Sequence, residues 1–148
     1  MTGSALAVFL SVVAGLAGAV QVSVMSQLGD RISIVGAVAF ASLLTAVVSL
    51  GLLLAFRQSF AAYRNAFDHP WWMLTGGLFG LLIVLTITYA GGRLGVAATV
   101  GILIAGQLLM GAAIDRWGLF GSTRIPLHWP RLLGIVLLGA GAALSLKK

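Results

Sequence analysis

Long stretches without a single charged side chain are the feature of this sequence that most restricts its fold. Residues 1–29 contain no charged residue, residues 32–56 contain none, and similar stretches recur towards the end of the chain. A helix needs about 20 mostly apolar residues to cross roughly 30 Å of hydrocarbon. These stretches therefore predict membrane-spanning α-helices.

The composition excludes a water-soluble domain. The 148 residues are 60% hydrophobic and 8% charged, whereas soluble domains are about 45–50% apolar and about 25% charged. The nine basic side chains lie between apolar stretches, as lipid-headgroup anchors and topology signals do, so we expect membrane lipids and not nucleic acid as partners. Because there is no cysteine, disulfides and thiolate metal sites are also excluded.

The charged residues divide the chain into five predicted spans. They cover about residues 4–28, 32–56, 71–91, 94–114 and 130–147. The fifth is the shortest, and it reaches membrane length only if its helix starts near Pro130 and the terminal lysines extend outward. The sequence thus predicts an all-α integral membrane protein with a single five-helix domain over residues 1–148. An odd number of spans places the two termini on opposite sides of the membrane.

Small residues are predicted to hold these helices together. Lipid tails give helices no hydrophobic reason to associate, so close backbone packing at small residues has to do so. The chain has 20 glycines, and several form small-xxx-small strips. Such a strip can pack inside one subunit or between subunits. The glycines predicted to serve packing are Gly76, Gly80, Gly101 and Gly106.

Uncharged polar residues inside the spans are the candidates for a substrate pathway, because they cost free energy unless they face protein or water. The glutamines Gln21 and Gln107 could line a pore or clasp a neighbouring helix, and both alternatives stay open. A second group, Ser42, Thr45 and Ser49, shares one face of the second span. Each of these hydroxyls could instead bond to a carbonyl of its own helix.

The distribution of basic residues predicts an undecided orientation. Arg57, Arg64, Arg116, Arg124 and Arg131 fall on the N-terminal side, and Arg31, Arg93, Lys147 and Lys148 fall on the other side. Because cytoplasmic loops normally carry a clear excess of Lys and Arg, this near tie favours insertion in both directions. The alternative is that the slight excess, clustered in residues 115–131, fixes the N-terminus in the cytoplasm.

Few residues could perform catalysis. Asp68, His69, Asp115 and His128 fall in the two loops on the N-terminal side, where a small metal or proton site is conceivable. We favour structural roles instead: Asp68 or His69 would cap the third span, and Asp115 would pair with Arg116 or a neighbouring Arg. We therefore expect no enzyme activity, no catalytic residues, no metal and no cofactor.

Four segments carry a family resemblance. They are VQVSVMSQLGDRI at residues 20–32, PWWMLTGGLFG at 70–80, LGVAATVGILIAGQLLMGAAIDRWGLFG at 94–121 and RLLGIVLLGAGAAL at 131–144. The combination of AGQLL with IDRWG is the most specific. Together the segments resemble the YdcZ-type branch of the drug/metabolite transporter superfamily over nearly the whole chain.

This resemblance implies a five-helix exporter half in the bacterial inner membrane. Such a half matches one repeat of the ten-helix transporters built from two inverted halves, and it would work as a dual-topology homodimer or with an opposite-facing sibling. Many relatives have Asn where this chain has Met25, so a polar contact there is lost or supplied by Gln27 or a partner. The positions that match the family pattern are Gln21, Gly76, Gly77, Gly80, Gly106, Gln107, Asp115 and Gly118.

Two readings of the function follow. In the first, the chain is a secondary exporter half, and a polar cavity lined by Gln21, Gln107 and the Ser42/Thr45/Ser49 face opens alternately to the two sides. In the second, it is a non-transporting structural or assembly subunit of a membrane complex. Fixed orientation and indifference to changes at the two glutamines would favour the second reading.

Overall fold

The computed structural model describes residues 3–56 and 67–146, and all regular structure in those ranges is helical. The predicted all-α architecture with five helices is confirmed. Arg57, Arg64, Lys147 and Lys148 lie outside the described residues. The helices are α1 Gly3–Ile32, α2 Ile34–Ala55, α3 Gly76–Leu94, α4 Val96–Trp117 and α5 Trp129–Leu144, with 3₁₀ turns at Trp71–Thr75 and Leu119–Gly121.

Four of these helices are long and apolar enough to cross a membrane. They are α1, α2, α4 and α3 together with its preceding 3₁₀ turn. At 22 residues each, α2 and α4 rise about 33 Å. The fifth helix has only 16 residues, which gives about 24 Å, so it is shorter than the predicted span 130–147.

The first turn between helices is tighter than predicted because α1 continues past its expected end. It extends to Ile32, so Asp30 and Arg31 lie in its last turn. Only Ser33 separates it from α2, with φ 87°, and the Ser33 hydroxyl accepts a hydrogen bond from the Gly36 N–H at 3.2 Å. A positive charge at a helix C-terminus is stabilising, which explains why Arg31 does not end the helix.

The predicted break between the third and fourth spans is also displaced. Gly91, Gly92 and Arg93 were expected to interrupt the chain, but all three are helical and belong to α3. The break falls at Gly95, which has φ 84° and precedes α4. Left-handed backbone is accessible to glycine at little cost, so the conformation required here, and not the charge on Arg93, determines where the helix ends.

The chain divides into two compact units. Residues 24–92 form one, called here the α2–α3 unit, and residues 1–23 with 93–148 form the other, called the α4–α5 unit. The α2–α3 unit has a core of Met25, Ala37 and Val38, packed against Leu28, Ala41, Val84 and Leu85. Met25 is therefore a buried apolar side chain, 5% exposed.

In the α4–α5 unit, small residues let the two helices approach closely. A Cβ atom added at Gly101 would lie 3.2 Å from the Ala142 Cβ. Ala98, Ala112 and Ala142 are buried. Since Gly101 meets Ala142 near one end and Asp115 meets Arg131 near the other, α4 and α5 run antiparallel. This contact pattern is the kind by which helices associate in lipid.

The closest glycine contact in the α2–α3 unit was not foreseen. A Cβ atom at Gly29 would lie 2.7 Å from the Cγ2 methyl of Thr88. Thr88 is 4% exposed, and its hydroxyl donates to the Val84 carbonyl at 2.6 Å. This hydrogen bond fixes the threonine rotamer, so the methyl group has little freedom to move away from α1.

Gly29→Ala is expected to destabilise the fold by about 1–3 kcal/mol, because the added methyl overpacks against Thr88. The measurement is thermal unfolding of the purified protein in detergent. Thr88→Ser removes the Cγ2 methyl and keeps the hydroxyl, so it should restore most of the lost stability in the double variant.

Gly15→Ala, on the same helix as Gly29, is the matched control for this prediction. Among the described residues nothing lies within 4 Å of a Cβ atom at Gly15, and alanine favours the helix relative to glycine. We expect Gly15→Ala to unfold at or above the wild-type temperature. Identical melting temperatures for Gly29→Ala and Gly15→Ala would contradict the packing contact.

Candidate functional site

Gln107 lies at the midpoint of α4. The helix covers Val96–Trp117, so Gln107 has a similar length of helix on either side. The residue is exposed on the surface of the chain. Within residues 3–56 and 67–146, no hydrogen bond joins its side-chain amide to another residue.

Gln21 has similar surroundings on α1. It belongs to the same compact unit as Gln107, and its side chain is also exposed. The neighbouring Val22 is 2% exposed, so this part of α1 turns an apolar residue inward and the glutamine outward. In the part of the chain that the structure describes, the Gln21 amide likewise makes no hydrogen bond.

The predicted hydroxyl face belongs to α2, in the α2–α3 unit. Ser42, Thr45 and Ser49 are all exposed. Thr45 donates to the Ala41 carbonyl at 2.9 Å and Ser49 to the Ala46 carbonyl at 3.0 Å. These are the bonds to their own helix that serine and threonine commonly make. They use the hydroxyl proton and leave oxygen lone pairs available to an external donor.

The predicted pathway residues do not line the groove beside α5. That groove, of about 330 Å³, is lined by Ala97, Gly101, Leu137, Leu138, Gly141, Ala142 and Ser145. Its hydroxyl, on Ser145, donates to the Ala142 carbonyl at 2.7 Å. The lining has no amide and no charge, so this groove has little with which to recognise a polar substrate.

The glycines predicted to serve packing differ in their surroundings. Gly101 meets Ala142 within its own unit. At Gly76, Gly80 and Gly106, a Cβ atom would meet nothing within 4 Å among the described residues. These three positions therefore present bare helix backbone, a surface on which a helix from another subunit can approach closely.

Asp115 and Gly118, two positions of the family resemblance predicted from the sequence, organise the segment after α4. The Asp115 carboxylate forms an ion pair with the guanidinium of Arg131, at the start of α5. Its backbone carbonyl accepts from the Ile125 N–H at 2.9 Å. Gly118 ends α4 in the left-handed conformation, φ 66°, and its N–H donates to the Ile114 carbonyl at 2.8 Å. Of the partners expected for Asp115, a neighbouring Arg is the one observed and the adjacent Arg116 is not.

The predicted cap of the third span is wrong. Pro70 precedes the 3₁₀ turn, and no side chain caps it, so neither Asp68 nor His69 has that role. The residue at the cap position is Pro70, whose side chain has no hydrogen-bond acceptor. Among the residues described, no three His, Asp or Glu side chains come together in a group that could hold a metal ion.

Sequence reasoning missed two contacts near the end of α1. One is the Gly29 contact with Thr88, and the other is Asp30, whose Oδ2 lies 3.5 Å from the position of a Cβ atom on Gly92. Gly29 and Gly92 lie near the ends of their helices and outside the small-xxx-small strips predicted to serve packing. A glycine close to a helix end, as at Gly29–Asp30 and at Gly91–Gly92, is the sequence signal that could have predicted these contacts.

Comparison with known proteins gives the same family as the sequence resemblance. A protein-family model described as "Putative inner membrane exporter, YdcZ" matches residues 6–144. The chain is 28% identical to "Inner membrane protein YdcZ" of Escherichia coli (strain K12) over 140 residues, which are 93% of this chain and 92% of that protein. No solved structure matches the chain.

Proposed function

Because the chain belongs to the YdcZ inner membrane exporter family, we propose that it is one five-helix half of a small-molecule exporter that works as an antiparallel pair. It is a multi-pass inner membrane protein, and membrane export is not an enzyme class. The observation that carries the proposal is the exposed, unpaired amide of Gln107 at the midpoint of α4.

An amide at that depth needs a partner. Moving an unpaired amide from water to hydrocarbon costs several kcal/mol, about 4–8 on the cyclohexane scale. Hydrogen bonds between membrane helices recover about 0.6–2 kcal/mol each. A second half, or a water-filled cavity between two halves, would supply the missing partners for Gln107. A single chain surrounded by lipid would leave the Gln107 amide without hydrogen-bonding partners.

The bare glycine surfaces support the pairing of two halves. Gly76 and Gly80 lie four residues apart on α3, and Gly106 is next to Gln107 on α4, with no neighbour near their Cβ positions among the described residues. Contact between such surfaces of two copies would bring backbones together without a steric cost. Contact at Gly106 would also bring the adjacent Gln107 close to the partner half.

The number of helices and the charges support the antiparallel arrangement. A five-helix half can form an inverted two-fold pair only if the second half is inserted upside down. Five basic residues on the N-terminal side and four on the other side allow both insertions. The same sequence would then provide both halves, unless a sibling with opposite orientation replaces one copy.

The proposed pathway recognises its substrate through neutral groups. Gln21 and Gln107 offer amide donors and acceptors, and the Ser42/Thr45/Ser49 face offers hydroxyl oxygens. No carboxylate or basic side chain is part of this set. Substrate binding there would therefore depend on hydrogen bonds and shape more than on an ion pair, and rocking of one half against the other would expose it to either side.

Reporter fusions to Lys148 test the double insertion. We expect comparable activity from a fluorescent protein, active in the cytoplasm, and from alkaline phosphatase, active in the periplasm, because the charge bias is one residue. Arg31→Gln should shift activity towards the phosphatase, and Arg57→Gln should shift it towards the fluorescent protein. Activity from a single reporter, unchanged by either substitution, would contradict the proposal and favour a structural subunit of fixed orientation.

Gln107→Leu tests the pathway. Leucine has a similar size but no hydrogen-bonding group, so we expect loss of export with the dimer retained. Efflux-deficient cells expressing each variant are compared for growth on a panel of toxic small molecules, and native mass spectrometry reports the dimer. Met110→Leu, a substitution at an exposed residue of the same helix, is the matched control and should keep wild-type protection. Wild-type protection in Gln107→Leu cells would exclude this residue from the pathway.

A further inference from the structure

A cleft with two arginines lies where α4 ends. It has a volume of about 320 Å³ and is lined by Arg116, Trp117, Arg124, Ile125 and Pro126. All five residues belong to the α4–α5 unit. The groove beside α5 is apolar, but this cleft presents two guanidinium groups next to an indole. None of its residues belongs to the proposed export pathway.

The backbone after α4 folds back to form this cleft. Gly118, Phe120 and Gly121 have positive φ values of 66°, 56° and 79°, so the chain reverses direction within a few residues of Trp117. The Ile125 N–H then donates to the Asp115 carbonyl at 2.9 Å. This hydrogen bond holds residues 124–126 against the last turn of α4 and so places Arg124 on the same side as Arg116.

The position of Arg124 is further restricted by Gly118. A Cβ atom at Gly118 would lie 2.7 Å from the Arg124 Cγ and 3.2 Å from its Nε. The arginine stem therefore lies across the bare glycine backbone, in space that any other residue would fill. An exposed arginine normally loses rotamer freedom when it binds a ligand. Because the contact with Gly118 already restricts Arg124, the entropy lost on binding is smaller.

The charges of the cleft are not balanced by a carboxylate. Asp115 is the acidic residue nearest in sequence, and its carboxylate is paired with Arg131. In the described part of the chain, neither Arg116 nor Arg124 makes an ion pair or a side-chain hydrogen bond. Two exposed guanidinium groups therefore remain available to an anion from outside the chain.

We propose that this cleft binds the phosphate group of an anionic ligand. Two guanidinium groups present planar pairs of N–H donors that match the oxygens of a phosphate, and such charge-assisted bonds are about twice as strong as neutral ones. The cleft adjoins Trp117, the last residue of a membrane-length helix. That is the depth at which lipid headgroups and interfacial tryptophans lie. The phosphate can come from a phospholipid headgroup or from a free phosphate.

Native mass spectrometry of the intact protein tests this proposal. Protein released from micelles is titrated with phosphatidylglycerol or with phosphatidylcholine, and we expect one phosphatidylglycerol to be retained preferentially. Arg116→Gln/Arg124→Gln should weaken that retention by about tenfold or more, because both charge-assisted contacts to the phosphate are lost. Lys147→Gln/Lys148→Gln removes the same charge elsewhere and should retain the lipid.

One further double variant and a competition complete the test. Arg116→Lys/Arg124→Lys keeps the charge but loses the bidentate geometry, so intermediate retention is expected; it replaces the Gln pair if that pair does not fold. Inorganic phosphate at increasing concentration distinguishes the sources. Displacement of the lipid, or a rise in melting temperature that requires both arginines, supports a site open to free phosphate. Undisturbed lipid supports a headgroup site.

The proposal is overturned by either of two results. One is equal retention of phosphatidylglycerol by the wild type and the Arg116→Gln/Arg124→Gln variant, with no effect of inorganic phosphate on either. The other is equal loss of lipid from the arginine and lysine double variants, which would show that net charge and not the cleft determines binding.

Discussion

A side-chain amide at the centre of a membrane helix requires a hydrogen-bonding partner, and Gln107 in α4 has that requirement. The described residues of the chain provide no such partner, and lipid tails provide none. The surroundings of Gly106, next along α4, are also open. Under the proposed function, a second protein surface, or water held between two surfaces, supplies the missing hydrogen-bonding partners. The five-helix chain would then be one half of a larger assembly.

The contacts between α4 and α5 show the roles of charged residues in this mostly apolar chain. Asp115 and Arg131 join the helices on one side of the membrane, and Gly101 allows close packing further along. Because Asp115 is paired with Arg131, it does not neutralise the two other arginines of this segment, Arg116 and Arg124, which are exposed and can meet anionic groups at a membrane surface. One ion pair thus serves helix packing and also leaves an electropositive cleft beside it.

The sequence predicted the number and class of helices because uncharged length is a direct requirement of the bilayer. The helix ends were predicted less well, because charged residues do not coincide with the ends of these helices. Arg31 and Arg93 instead lie in last helical turns, and the α3–α4 break occurs at Gly95, where φ is positive. The Asp115–Arg131 pair and the Gly29–Thr88 contact depend on how helices pack, which local patterns do not specify. The polar residues could be selected as candidates from the sequence because each one costs free energy in hydrocarbon unless it has a partner.

Cysteine cross-linking at three positions tests the antiparallel pairing most directly, because the chain has no cysteine of its own. Val100 and Ile114 lie seven residues to either side of Gln107 on the same helix face, about 10.5 Å along the axis. In an antiparallel pair, Gln107→Cys cross-links to its own copy and Val100→Cys cross-links to Ile114→Cys. Val100→Cys does not link to itself, because those Cα atoms are far beyond the disulfide limit of about 7 Å. Self-linking at Val100 and Ile114 without the mixed product would contradict the account.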